Sequence, residues 1–96
     1  MKPPHPDPTP STAVPVDLVR MRDRYAERLR REGAENPRVA ATVAAIRGTA
    51  GETVEEFALR LEIPIPAVTA AEAGLLPLES LPDALAFTVR RFDHPG

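Results

Sequence analysis

Apolar side chains recur along this chain at spacings of three and four, and no stretch alternates with period two. The pattern predicts helices and no strands. Leu18, Met21, Tyr25 and Leu29 form the first stripe, with Asp17 placed to cap it after Pro15 and Gly33 to stop it, giving a helix over about 17–32. Asn36-Pro37 reads as a cap followed by proline at the first helical position. The second helix then runs over about 37–48, with Val39, Val43 and Ile46 inward and Gly48 and Gly51 at its end. Thr53 opens a third helix, and Glu56 three residues on completes a capping box; Phe57, Ala58 and Leu61 are its buried side. Pro64 and Pro66 bracket a break before a short helix over about 66–73 that carries Val68 and Ala71 inward and closes at Gly74. Pro77 to Leu81 is a loop or single turn. Pro82 opens a last helix reaching about Arg91, with Leu85, Val89 and Phe92 inward and Phe87 as a further inward candidate.

The expected architecture is all-α, with about five helices. Residues 1–15 form a proline-rich tail, residues 16–35 an Arg-rich amphipathic helix, residues 36–92 the main helical domain, and residues 93–96 a C-terminal tail. Prolines at 3, 4, 6, 8, 10 and 15 hold the first segment extended, and it has too little apolar surface to order itself. Its proline spacing matches no distinctive recognition motif.

The chain has 96 residues, room for one small domain. Its aromatic residues are Tyr25, Phe57, Phe87 and Phe92, so the core must be made of aliphatic side chains, which suits close-packed helices. Cysteine is absent, which removes disulfides and thiolate metal sites. His5 and His94 lie near opposite ends, so no metal and no cofactor is expected. No run approaches the roughly 18 apolar residues of a membrane span, and no apolar stretch follows Lys2 to make a secretory signal. A cytoplasmic protein is the expectation. Catalysis needs a nucleophile–base pair, paired carboxylates in a cleft, or a metal. Glu55 and Glu56 point in different directions on one helix, Ser11 and Ser80 have no histidine in prospect, and phosphate-cradling glycine motifs are absent. The chain is not expected to be an enzyme.

Charge separates along the sequence. Residues 16–32 hold six arginines against four acids, and residues 33–96 hold five against nine. An anionic partner would therefore prefer the N-terminal part. Arg20, Arg24, Arg28 and Arg31 share one helical face. Such a row can track phosphates or can be a solvated face partly neutralised by Asp23 and Glu27. The apolar stripe beside it packs on the rest of the domain or forms a dimer seam.

The third and fourth helices have the lengths and short connection of a helix-turn-helix. The run Val43, Ile46-Arg47, Gly51, Thr53, Glu56-Phe57-Ala58, Leu61, Ile63, Val68, Glu72, Gly74 resembles the phage-repressor-type (Xre-like) helix-turn-helix family, and Leu81 and Leu85 continue it. The resemblance covers about residues 39–90. It implies a small DNA-binding transcriptional regulator that docks its 66–73 helix in the major groove as a homodimer. It also implies a structural ion pair between Arg47 and Glu72, and a structural role for Thr53 as a cap. Phosphate contacts would fall to Arg20, Arg24, Arg28, Arg31, Arg38 and Arg60.

The departures from the family pattern are concentrated on the DNA-reading surface. Those positions hold Ile65, Pro66, Ala67, Thr69, Ala70 and Ala73, of which Thr69 alone can hydrogen-bond through its side chain. Val54 stands where a polar residue usually touches phosphate, and Glu62 replaces the usual glycine before the turn. A bidentate base contact is worth about 1–3 kcal/mol of discrimination, and no group here makes one. The alternative is a non-catalytic protein-interaction module that keeps the fold and has lost base reading. Its apolar surface over residues 65–76 would be covered by a partner or by the chain's own first helix.

Overall fold

The computed structural model describes residues 15–94. The expectation for the proline-rich tail therefore falls outside the described residues except at Pro15, as does the end of the expected C-terminal tail. The described chain is all-helical: α1 (Val16–Arg31), α2 (Pro37–Ala50), α3 (Val54–Leu61), α4 (Ile65–Glu72), a single 3-10 turn (Leu78–Ser80) and α5 (Asp83–Asp93), with no strand among the described residues.

Each helix end has a local cause. Pro15, not Asp17, occupies the first cap position, and its carbonyl accepts from the Leu18 and Val19 amides. Asp17 instead lies within the first turn, where a carboxylate meets the helix's positive end. At the other end Gly33 adopts φ 97°, which lets Ala34 N–H return to the Leu29 carbonyl and Gly33 N–H to that of Arg30. The expected end of α2 at Gly48 gives way to a longer helix. It continues to Ala50 and stops where Gly51 turns left-handed at φ 68°. Thr53 and Glu56 form the reciprocal capping box: Glu56 N–H donates to Thr53 Oγ1 at 3.0 Å, and Thr53 N–H donates to Glu56 Oε1 at 2.9 Å. Asn36 precedes α2 but makes no side-chain cap bond. Its Nδ2 and backbone N–H both donate to the Gly74 carbonyl, at 3.1 and 3.0 Å, fastening the end of α4 to the α1–α2 loop.

The core gathers Val43 from α2, Phe57 and Ala58 from α3, Val68 and Ala71 from α4, and Leu81, Leu85, Ala86 and Val89 from the last segment. Phe57 is fully buried at its centre, worth about 1.5–3 kcal/mol of transfer free energy. α2 is the hub, packing against α1, α4 and α5, while α3 packs against α4. Phe87 departs from the inward expectation: it is exposed on α5, with the Arg91 guanidinium 5.6 Å from its ring centroid.

The α1 stripe also departs from expectation. Met21 is 61% exposed, and the seam between α1 and α2 is filled instead by Arg22, which is 2% exposed. Arg22 Nη1 donates to Thr42 Oγ1 at 2.8 Å, Nη2 lies 2.8 Å from Asp93 Oδ1, and Nε donates to Asp23 Oδ1 at 2.8 Å. Its guanidinium stacks 4.8 Å from the Phe92 centroid. Asp93 therefore belongs to the folded domain, not to a tail, and it also accepts from Arg38 Nη2 at 3.0 Å. Burial pushes the Asp93 carboxyl up, but the hydrogen bond and charge of Arg22, with the charge of Arg38, outweigh it and hold the group below its ordinary value.

Candidate functional site

α3, a three-residue turn and α4 make a helix-turn-helix hairpin. Glu62 holds the turn at φ 57°, left-handed for a residue with a Cβ, so that Ile63 N–H reaches back to the Ala58 carbonyl at 3.0 Å. Ile63 then packs on the core, and Pro64 precedes the first residue of α4. The hairpin is held from behind. Arg47 Nε donates to Glu72 Oε2 at 2.6 Å and Nη2 to Glu72 Oε1 at 2.9 Å, a two-pronged contact on a partly buried pair. The hydrogen bond to Glu72 raises the Arg47 guanidinium above its ordinary value despite the opposing cost of burial. Its Nη1 also donates to the Glu52 carbonyl at 2.9 Å, tying the end of α2 to the approach to α3.

The outward side of α4 is apolar. Ile65, Pro66, Thr69 and Ala73 are exposed, and Ala67 and Ala70 are half-buried. Thr69, the one polar member of that set, returns its Oγ1 to the Ile65 carbonyl at 3.3 Å. Leu59 on α3 is 79% exposed and Ile65 44%. Leu75 is also exposed, and Leu76 is half-buried. Glu55, Glu56 and Glu62 are exposed around these side chains.

The six arginines expected to touch phosphate are not equivalent. Arg60 is held by Glu52 through two bonds, Nε to Oε2 at 2.8 Å and Nη2 to Oε1 at 2.9 Å, with its guanidinium over the Phe57 ring. The hydrogen bond from Arg60 lowers the Glu52 carboxyl below its ordinary value. Arg38 is engaged by Asp93. Arg31 lies 3.5 Å from Glu27, which also pairs with Arg30, and Arg28 lies 3.9 Å from Glu32. For Arg20 and Arg24, no carboxylate among the described residues lies within ion-pair distance.

Comparison of the chain with protein-family models, curated proteins and solved structures finds no match.

Three features of the structure escape sequence reasoning. Arg22 sits on the stripe Leu18, Arg22, Tyr25, Leu29, whose helical spacing is as regular as that of the stripe through Met21; the buried Thr42 and the half-buried Asp93 select it. Leu59 falls out of phase with Phe57, Ala58 and Leu61 and is left outside. Between α1 and α2 the alanines leave a groove of about 190 Å³ lined by Met21, Tyr25, Ala41, Ala44 and Ala45, with Arg22. Met21 and Tyr25 also line a shallower depression with Arg24 and Arg28, where the Arg28 guanidinium lies 5.0 Å from the Tyr25 centroid. No helix among the described residues is long and apolar enough to cross a membrane.

Proposed function

We propose that this chain is a non-catalytic protein-interaction module built on a repressor-like helix-turn-helix scaffold, with α3 and α4 presenting a docking face. The observation that carries the reading is the chemistry of the outward side of α4. Base recognition requires free donors and acceptors at the groove floor. Here the lone hydroxyl is turned onto the backbone of its own helix. The arginine on α3 is neutralised by Glu52. The carboxylates of Glu55, Glu56 and Glu62 repel a phosphate backbone at close range. Exposed Leu59, Ile65 and Leu75 gain from being covered by an apolar surface.

A second reading, the DNA-binding regulator implied by the family resemblance, draws on one specific observation. Arg20 and Arg24 carry no carboxylate partner among the described residues and stand in row with Arg28 and Arg31. One titration decides between the two. Fluorescence anisotropy of labelled duplex DNA at low salt is expected to show no binding by the full chain. Binding that weakens linearly in log–log with added salt, at a slope of several counterions, overturns the module reading.

A further inference from the structure

Two apolar patches among the described residues carry opposite charge. Along α1, exposed Met21 and half-buried Tyr25 flank the groove against Ala41, Ala44 and Ala45 of α2. The rim is basic: Arg24 and Arg28 line the depression beside Met21 and Tyr25, Arg24 with no carboxylate within ion-pair distance among the described residues and Arg28 only loosely paired at 3.9 Å. On α3 and α4, exposed Leu59 and Ile65 stand beside Glu55 and Glu62, which likewise have no ion-pair partner among the described residues. One patch is a groove with a positive rim. The other is a ridge of branched aliphatic side chains with a negative rim.

We infer that the α3–α4 face of one copy docks into the α1–α2 groove of a second copy, head to tail. The partner's Leu59 and Ile65 enter beside Met21 and Tyr25, while Glu55 and Glu62 meet Arg24 and Arg28. Charge selects this arrangement over the symmetric ones. α1 against α1 would oppose two rows of arginine, and α3–α4 against itself would oppose two sets of glutamates; both arrangements cost electrostatic energy where head-to-tail docking gains it. Because the two surfaces are different, a pair keeps one free groove on one copy and one free ridge on the other. Association therefore proceeds past the dimer, to a closed ring or an open chain. The inference rests on the module reading above, since a DNA-reading α4 would need this same face.

Sedimentation velocity of the full chain across a concentration series tests it, with two surface variants checked for fold by circular dichroism. Met21→Glu places a carboxylate in the groove; Leu59→Ser with Ile65→Ser removes the ridge. Wild type is expected to self-associate, and raising NaCl from about 50 to about 500 mM, which shortens the screening length several-fold, weakens that association by about tenfold or more. Each variant alone is expected to be monomeric. Mixed, the two form a 1:1 pair and nothing larger, because only one groove and one ridge remain. A wild type that stays monomeric up to about 1 mM overturns the inference, being weaker than a measurable millimolar contact. A single variant that associates as wild type does overturns it too, since a symmetric contact would use one patch only. The DNA titration run beside it separates the two claims. Absence of both self-association and DNA binding removes the head-to-tail contact and leaves the module reading standing. Salt-sensitive DNA binding removes the module reading itself.

Discussion

Asp93→Ala removes the carboxylate that faces Arg22 while leaving the guanidinium buried in the α1–α2 seam. Arg22 then keeps two partners, Thr42 Oγ1 and the half-exposed Asp23. Breaking a buried pair from one side costs about 3–5 kcal/mol, and the residual contact with Asp23 places this case near about 3 kcal/mol. With a urea dependence of about 1 kcal/mol per molar for a domain of this size, the midpoint falls by about 3 M. Adding Arg22→Met removes the stranded charge and leaves an apolar side chain of similar reach in the seam. It forfeits the stacking on Phe92, worth about 1 kcal/mol, but the double variant is expected to be more stable than Asp93→Ala alone. Circular dichroism during urea titration at neutral pH measures wild type, Asp93→Ala, Arg22→Met and the double variant. The pH dependence supplies an independent check. The Asp93 carboxyl is held below its ordinary value in the fold, so its contribution is complete above the unfolded value of about 3.9 and is lost as pH falls through the native one. Wild type should lose stability more steeply below about pH 4 than Asp93→Ala does. A loss under about 1 kcal/mol for Asp93→Ala, or a double variant whose loss is the sum of the two single losses, would refute the reasoning.

The remaining predictions concern the hairpin and its outward face. Glu62→Gly relieves a left-handed residue at φ 57° and should stabilise by about 0.5–1 kcal/mol after the entropy cost of glycine, read as a raised urea midpoint. Gly74→Ala should destabilise by about 2–3 kcal/mol in the same assay: φ is 78°, and the new Cβ would meet Ala34 Cβ at 2.9 Å. Glu72→Gln weakens the two-pronged contact with Arg47 and should cost about 1–2 kcal/mol, whereas Glu79→Gln on the exposed 3-10 turn should change the midpoint by less than about 0.5 kcal/mol. Ile65→Arg with Ala73→Arg should leave stability within about 0.5 kcal/mol and create non-specific duplex binding with a log–log salt slope of about 2.

The helices are legible in the sequence because their ends are written locally. Thr53 and Glu56 lie three residues apart, Pro37 starts α2, and Gly51 and Gly74 take left-handed turns that other residues resist. What sits between α1 and α2 is not local. Met21 and Arg22 are adjacent, and either helical stripe is regular enough to face inward. The choice falls to Arg22 because Thr42 and Asp93 supply a hydroxyl and a carboxylate that Met21 cannot use. Asn36 carries every mark of a cap, yet its amide is drawn to Gly74, 38 residues away, by the close approach of the α4 end to the α1–α2 loop. Of the candidate site, the small and apolar character of the outward α4 residues could be read one by one. Their exposure could not, because it depends on α1 packing against α2 and leaving that side open.

Scaffold and outward surface are separable in this hairpin for an energetic reason. What binds α3 to α4 points inward: Phe57, Ala58, Val68 and Ala71 in the core, and the Arg47–Glu72 contact behind it. The outward positions Ile65, Pro66, Thr69 and Ala73 make little of that core, so substitutions there cost the fold little. A helix-turn-helix can therefore lose its polar reading residues without losing its shape. Apolar replacements do not leave the surface inert, however. Each exposed branched side chain adds water-facing area worth about 25 cal/mol per Å2 once covered. Leu59 and Ile65 lie on either side of one three-residue turn, close enough for a single partner surface to cover both. The outward side of α3 and α4 thus presents Leu59 and Ile65 as a ridge that gains from contact with another apolar surface, and the exposed glutamates beside it favour a basic one.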